Sequence, residues 1–318
     1  MSKPSADVSR RSFLNSAVRS ATVAAAAGTF FPPAHREASA QVQVGPLGNP
    51  LAGEVGITTS SLSGHLAEKT ADGKYTLLDL PTLMRDELDM RIIDLNTSTS
   101  GQANFRDLEA LRAKAEQKGC ILTNLKLNQS QLDMNSRDKS VREHALAEYK
   151  RSIDAAAVLG LRWARPLPRK ERPDMAIHIA SYRELADYAA DRQIGMLVEN
   201  YGWMQSDPGS MAELIEKLGH DIAACPDTGN WDADIRLDGL RRSFPYAVTC
   251  DFKARDIGPG GEHPLYPLEE CFRIGWAAGF HGPWCLEHAH RDRSKLLKDL
   301  AVLRDLLRGW IREASQPS

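Results

Sequence analysis

The chain has no apolar run near the roughly 20 residues that a permanent membrane helix needs; its most apolar stretch, Ala21–Phe31, is too short. It has no basic excess either, since 40 Lys and Arg stand against 42 Asp and Glu for a net charge of −2. That balance argues against nucleic acid, which requires a phosphate-neutralising surface. The five cysteines (Cys120, Cys225, Cys250, Cys271 and Cys285) are odd in number and include no Cys-x-x-Cys pair. Neither a disulfide framework nor a zinc knuckle is suggested. Several sit in apolar strand-like runs, where cysteine behaves as a small buried hydrophobe. No glycine-rich phosphate loop follows an early candidate strand, so a nucleotide-binding open sheet is unsupported. No low-complexity linker divides the chain.

What remains is the composition of a soluble globular enzyme, 42% hydrophobic and 26% charged over 318 residues. The length suits one α/β barrel of roughly 250 residues plus a leader. Ser9-Arg10-Arg11-Ser12-Phe13-Leu14, the stretch Ala21–Phe31 and the small-x-small end Ala38-Ser39-Ala40 read as a twin-arginine secretion signal over residues 1–40. Cleavage is expected near Ala40. A single domain then spans residues 41–318, with 35 basic and 40 acidic residues, a net charge of −5. The expected partner is the twin-arginine export machinery and the expected location periplasmic or otherwise exported. That route carries folded proteins, so a metal can be loaded first and cysteines can stay reduced.

From residue 54 onward, short apolar runs alternate with amphipathic helices. The candidate strands are 54–58, 90–95, 120–127, 162–166, 195–200, 221–226, 247–252 and 284–287. Helical patterns cover 107–118, 140–159, 177–192, 210–218, 268–278 and 295–311. Such alternation implies parallel pairing with right-handed crossovers. Eight units predict a closed (β/α)8 TIM barrel, with an open sheet as the structural alternative.

Chemistry in a parallel barrel gathers at the carboxyl ends of the strands. The last four candidate strands end in Val198-Glu199-Asn200, Cys225-Pro226-Asp227-Thr228-Gly229-Asn230, Cys250-Asp251-Phe252-Lys253 and Cys285-Leu286-Glu287-His288. Strand side chains alternate, so Cys225 shares a face with Asp227, and Cys285 with Glu287. With the cysteines filling an interior layer, the acids lie one layer higher. Glu199, Asp227, Asp251 and Glu287 in one cup would repel unless some were protonated or a cation lay among them. An all-oxygen shell favours Mg²⁺ or Mn²⁺ over zinc. The competing assignment for each acid is a helix cap or an ion pair with a nearby Arg or Lys. Asp94 and Asn96, Lys126 and Asn128, Trp163 and Arg165, and His288 are further strand-end candidates for substrate contact. Trp163 and Trp231 are either stacking surfaces for a sugar or plain core.

These residues resemble the sugar phosphate isomerase/epimerase superfamily, the xylose-isomerase-like TIM barrels that include ketose 3-epimerases, inosose dehydratases and hydroxypyruvate isomerases. The likeness spans roughly 54–310. It rests on Leu197-Val198-Glu199-Asn200, Asp227-Thr228-Gly229-Asn230, Phe252-Lys253 with Gly258–Gly261, and Gly279-Phe280-His281-Gly282 leading to Leu286-Glu287. The resemblance implies a divalent-metal site on Glu199, Asp227, Asp251 and Glu287, with Asp251 standing where the family carries histidine. Asn230 stands where the epimerases often have a substrate-binding histidine, and Tyr201 where many members have one after Glu-Asn. The implied reaction is proton abstraction beside a carbonyl, through a metal-stabilised enediolate of a carbohydrate. Glu199 and Glu287 are the expected acid/base pair, and Lys253 is an expected oxyanion partner. Asn230, Trp231 and His288 are expected substrate contacts.

Three rivals are weighed at this point, and the second of them is discounted. A keto-sugar lyase or dehydratase would share the enolisation step. A phosphodiesterase resembling endonuclease IV would need a histidine-rich zinc cluster and a basic face, and neither is evident. A non-catalytic sugar-binding barrel is the third. The sugar, the reaction outcome, the metal and the oligomeric state, a homo-oligomer included, are not legible.

Overall fold

A computed structural model describes residues 51–67, 73–100, 104–219 and 222–316. The expected export segment, 1–40, lies outside the described residues. Eight strands form one sheet: β1 Val55–Thr58, β2 Ile92–Asn96, β3 Ile121–Leu127, β4 Trp163–Pro166, β5 Gly195–Val198, β6 Ala223–Ala224, β7 Cys250–Lys253 and β8 Trp284–Glu287. All pair in parallel, in the order β6-β5-β4-β3-β2-β1-β8-β7. Each strand therefore lies beside its sequence neighbour, and β8 returns to β1, as a barrel requires.

The remaining seam, between β6 and β7, is stitched rather than laddered. Isolated parallel bridges join Ala224 to Ala247 and Asp227 to Asp251. Asp251 N–H donates to the Pro226 carbonyl at 2.8 Å, and Thr228 N–H to the Asp251 carbonyl at 3.0 Å. Pro226 has no N–H to offer, which interrupts the ladder here. The result is a nearly closed (β/α)8 barrel whose seam sets two acidic residues side by side.

Between the strands run helices that begin on polar caps. Asn104, Asp138, Asp174 and Asp292 each accept backbone N–H bonds at the starts of Phe105–Lys118, Lys139–Val158, Met175–Ala190 and Arg293–Ala314. Such caps satisfy donors that the first turn leaves free. Ser210–Leu218 and Leu268–Ala277 fill their expected places. Helix Arg236–Ser243 is additional. Its apolar pattern is thin, and Gly239 sits at its centre because the Trp231 ring lies against it: a Cβ there would approach the ring to 2.5 Å. Among the described residues, no helix is long and apolar enough to cross a membrane.

Outward-facing strand residues such as Ile57, Ile93, Val198, Phe252, Trp284 and Leu286 join the helices in one large core. The inward set is separate and smaller. Leu51, Ile92 and Cys285 cluster with Ile121 and Trp163, while Leu197, Ala223 and Cys225 cluster with Trp163 and Val248. This apolar floor closes the lower barrel. Above it, every inward position is polar.

Candidate active site

Two residues above the floor on successive strands, the alternation of side chains delivers Asp94, Arg165, Glu199, Asp227, Asp251 and Glu287 to the barrel interior. Lys126 reaches the same level by a different device. The β2–β3 register advances two residues on β2, from Ile93 to Leu95, against three on β3, from Leu122 to Leu125. The extra residue is a bulge, and it turns Lys126 inward opposite Asn96.

The group is a chain of buried ion pairs. Arg165 Nη1 is 2.6 Å from Glu199 Oε2. Lys253 Nζ is 2.6 Å from Asp227 Oδ2 and 3.1 Å from Glu287 Oε1. Lys126 Nζ pairs with Asp251 Oδ1 and lies 3.9 Å from Asp94 Oδ2. Asn230 ties two of these pairs together: its Nδ2 donates to Glu199 Oε1 at 3.0 Å, and its Oδ1 accepts from Lys253 Nζ at 2.8 Å.

The segment Asp227-Thr228-Gly229-Asn230 explains itself residue by residue. Asp227 Oδ1 accepts the Gly229 N–H at 2.8 Å, which bends the chain over the mouth. Thr228 Oγ1 accepts the Lys253 N–H at 2.9 Å and so fixes the neighbouring strand end. Gly229 leaves room for the lysine stem, since a Cβ there would meet Lys253 Cδ at 2.8 Å and Tyr266 Oη at 2.6 Å. Asn200 holds the start of the segment in both directions. Its Oδ1 accepts the Asp227 N–H at 2.7 Å, and its Nδ2 donates to the Asp227 carbonyl at 2.9 Å.

Burial sets the electrostatics. It pushes the Asp227 carboxyl up to about 7 against the opposing pull of Lys253. Glu199 and Asp94 are raised for the same reason, with Arg165 and Lys126 respectively pulling the other way. For Lys126 and Lys253 burial favours the neutral amine, but the facing carboxylates outweigh it and hold both well above the ordinary lysine range.

One oxygen from each of Glu199, Asp227 and Asp251 lies within 4.8 Å of the others, and all three residues are buried. Asp251 Oδ2 accepts no hydrogen bond. Glu199 Oε2 and Asp227 Oδ2 face their cations outside hydrogen-bonding geometry. Counted as ionised, five carboxylates (Asp94, Glu199, Asp227, Asp251, Glu287) face three cations (Lys126, Arg165, Lys253), a formal excess of two negative charges. An orphaned carboxylate oxygen, a tight hard-oxygen triad and that excess together fit one divalent ion such as Mg²⁺ or Mn²⁺. Glu287 is joined to the triad through Lys253, and its side chain is the most open of the acids at 27% exposure.

The other strand-end candidates divide into those at this level and those away from it. Asn128 Oδ1 accepts from Arg165 Nη1 at 3.3 Å, at the edge of the group. Asn96 lies within it but spends its Oδ1 on Ser98 N and Oγ, at 2.9 and 2.8 Å, capping the turn that follows β2. Trp163 belongs to the floor, two residues below Arg165. Trp231 is packed on Gly239 in the outer core. His288 is spent on structure, with Nδ1 3.0 Å from the Ala254 carbonyl and Nε2 2.9 Å from Asp299 Oδ2 in the last helix. Thr123, Asn200 and Tyr266 were not singled out by sequence. Thr123 donates to Asp94 Oδ1, and Tyr266 to the Lys253 carbonyl at 2.6 Å. Only Asn200 carried a signal, its place directly after Glu199.

No curated protein sequence matches the chain significantly. Among solved structures, it is similar to D-psicose 3-epimerase from Clostridium cellulolyticum H10 with D-tagatose, at 16% identity and TM-score 0.63 over 81% of this chain and 99% of that one. It is similar to an L-ribulose 3-epimerase at 14% identity and TM-score 0.66, covering 82% and 96%. A third is a xylose isomerase-like TIM barrel protein from Mycobacterium smegmatis in complex with magnesium, at 19% identity and TM-score 0.60, covering 83% and 98%. These likenesses carry the fold. The family model described as xylose isomerase-like TIM barrel matches residues 87–313, from before β2 to the end of the last helix. With that match over most of its length and an acid-lined mouth above an apolar floor, the chain belongs to the xylose isomerase-like TIM barrel family.

Proposed function

We propose that this protein is a divalent-metal-dependent isomerase or epimerase of a keto-sugar, acting by proton transfer beside the carbonyl. The observation that carries the reading is the buried triad Glu199, Asp227 and Asp251, with the Asp251 Oδ2 lone pairs unclaimed. The similarity to structures named as sugar 3-epimerases supports the substrate class.

Glu199, Asp227 and Asp251 would hold the ion, with Glu287 at the rim. When bound, Mg²⁺ or Mn²⁺ supplies Lewis-acid polarisation of a carbonyl and offsets negative charge developing on the substrate oxygens. The chain's own groups do the rest. Glu199 follows β5 and Glu287 ends β8, with Lys253 and Asn230 between them. One carboxylate removes a proton from carbon and the other returns one, which inverts or relocates the centre. Burial raises Glu199 above an ordinary glutamate and makes its ionised form the stronger base. The Lys253 ammonium, aimed between Asp227 and Glu287, stabilises oxyanion charge where it develops.

The reading is tested by incubating metal-replete protein with a panel of free ketoses and keto-glycosides in heavy water. Deuterium uptake at carbon, lost in Glu199→Gln, is the expected result. A product lighter by water or an aglycone assigns the chemistry to a lyase instead. A protein that purifies without a stoichiometric divalent ion and exchanges no carbon-bound proton overturns the enzymatic reading in favour of a sugar-binding barrel.

Export by the twin-arginine route is part of the proposal, supported by Arg10-Arg11 and the small-residue end at Ala40. Replacing both arginines by lysine is expected to retain the protein in the cytoplasm. Unchanged export would refute this element alone.

A further inference from the structure

We propose that Lys253 is an internal counter-cation that competes with the divalent ion for one oxygen of Asp227, and that Glu287, beside its acid/base part, is the partner to which the lysine is handed over. The inference rests on the functional reading above and goes beyond it, since it gives Glu287 a role other than ligation.

Three observations carry it. First, Lys253 Nζ stands 2.6 Å from Asp227 Oδ2, the carboxylate oxygen that the Gly229 N–H leaves open to an ion. An ammonium and a divalent cation cannot both approach one carboxylate oxygen this closely without strong repulsion, so occupancy by one weakens the other. Second, the lysine has somewhere to go. Glu287 Oε1 at 3.1 Å and Asn230 Oδ1 at 2.8 Å already contact the same nitrogen. A swing of the stem away from Asp227 keeps two of its three partners, and Glu287 is the most open acid of the mouth. Third, the other two cations are built differently. Lys126 takes Asp251 Oδ1 and leaves Oδ2 without a hydrogen bond, so one oxygen stays open to the ion. Arg165 is 2% exposed and comes from the β4 interior with a planar, always-charged head. Lys253 alone among the three combines a flexible stem with an alternative acid at the rim.

The main chain around Lys253 supports a moving head on a fixed base. Its N–H and C=O are held by Thr228 Oγ1 at 2.9 Å and Tyr266 Oη at 2.6 Å, so motion is confined to the side chain. Gly229 leaves the stem its room.

The test is a Mn²⁺ titration followed by calorimetry and by the electron paramagnetic resonance signal of free Mn²⁺. It uses the full-length protein, Lys253→Met, Glu287→Gln and the double variant. Removing the competitor is expected to tighten Mn²⁺ binding by about tenfold or more. Glu287→Gln is expected to weaken binding in the parent, because the lysine then stays on Asp227. The same change is expected to have little effect once Lys253 is methionine, so the cycle is non-additive. Should Lys253→Met misfold, Lys253→Gln carries the same expectation with a hydrogen-bonding side chain. Weakened or unchanged binding on loss of the lysine overturns the proposal, as does an equal loss from Glu287→Gln in both backgrounds, which marks Glu287 as a plain ligand. In either case a parent that binds Mn²⁺ leaves the functional reading standing. A parent that takes up no Mn²⁺ overturns both.

Discussion

Lys126 on β3 reaches across the barrel to Asp251 on β7, a strand four places away around the eight-stranded ring. Both side chains are essentially inaccessible, at 1% and 0% exposure. The pair is a strut through the interior in which an aspartate and a lysine, each cut off from water, face one another. Burying either charge alone would cost several kcal/mol.

Lys126→Met is therefore expected to destabilise the fold by about 3–5 kcal/mol, because Asp251 is left charged and buried without its partner. Adding Asp251→Asn to it should recover part of that loss, since the stranded charge is gone. Chemical denaturation of the two variants checks this. Equal stability of Lys126→Met and the parent would show that the strut contributes nothing.

Asn200 is expected to act through Asp227 without touching substrate. Its amide satisfies both the N–H and the C=O of Asp227. Asn200→Ala leaves the buried Asp227 N–H unpaired, at about 1–3 kcal/mol by the usual cost of such a group, and leaves its carbonyl only the long 3.5 Å bond from the Asn230 N–H. Divalent-ion affinity should fall with stability, because the Asp227 carboxyl loses its fixed direction. Asn200→Asp keeps one acceptor for the N–H but faces the carbonyl with a charge, and should rescue neither property. Native affinity in Asn200→Ala would reduce the residue to packing.

The acids at 199, 227, 251 and 287 were readable because alternation along a strand is a strict rule. Cys225 and Cys285 on the floor fix the direction of the residue two places on. β8 has the expected bounds for the same reason, a short apolar run ended by the polar Glu287-His288. The cations were less legible. A bulge on β3 changes which face Lys126 takes, and nothing in Ile121–Leu127 announces the extra residue. Trp163 and Trp231 illustrate the opposite difficulty: an aromatic near a strand end has a type and a position, but only packing decides whether it meets the mouth, the floor or the outer helices. Residues 236–243 form a helix with Gly239 at its centre, where the Trp231 ring leaves no room for a Cβ, a tertiary demand that local periodicity does not carry.

The thiols give a prediction independent of the site. All five cysteines are unpaired and buried. Burial pushes Cys120 up to about 11 and Cys271 up to about 12, and raises the remaining three well above an ordinary thiol. A thiolate-selective reagent at pH 8 should thus find almost nothing in the native protein and five groups after denaturation. Rapid labelling of any one of them in the native state would contradict the placement of that residue.

The last expectation concerns acid. His178, in the helix Met175–Ala190, is 2% exposed, and its Nδ1 lies 2.7 Å from Asn135 Oδ1. That acceptor requires Nδ1 to carry the hydrogen, which leaves Nε2 bare, buried and without a partner. Protonation would place a charge there with nothing to receive it, and burial lowers the imidazole from 6.5 to about 4. Between those two values the unfolded chain binds a proton that the folded chain does not. Stability from this group is consequently full above pH 6.5 and is lost as pH falls toward 4. The shift corresponds to about 3 kcal/mol at one pKa unit per 1.36 kcal/mol. Replacing His178 by glutamine, which is neutral throughout, should lower stability at pH 7.5 yet remove this part of the slope. Denaturation midpoints of parent and variant from pH 7.5 to 4.5 are then expected to converge on acidification. Parallel curves would mean that His178 takes up its proton in the folded protein as easily as in water, and that the pocket around Asn135 is wetter than its packing indicates.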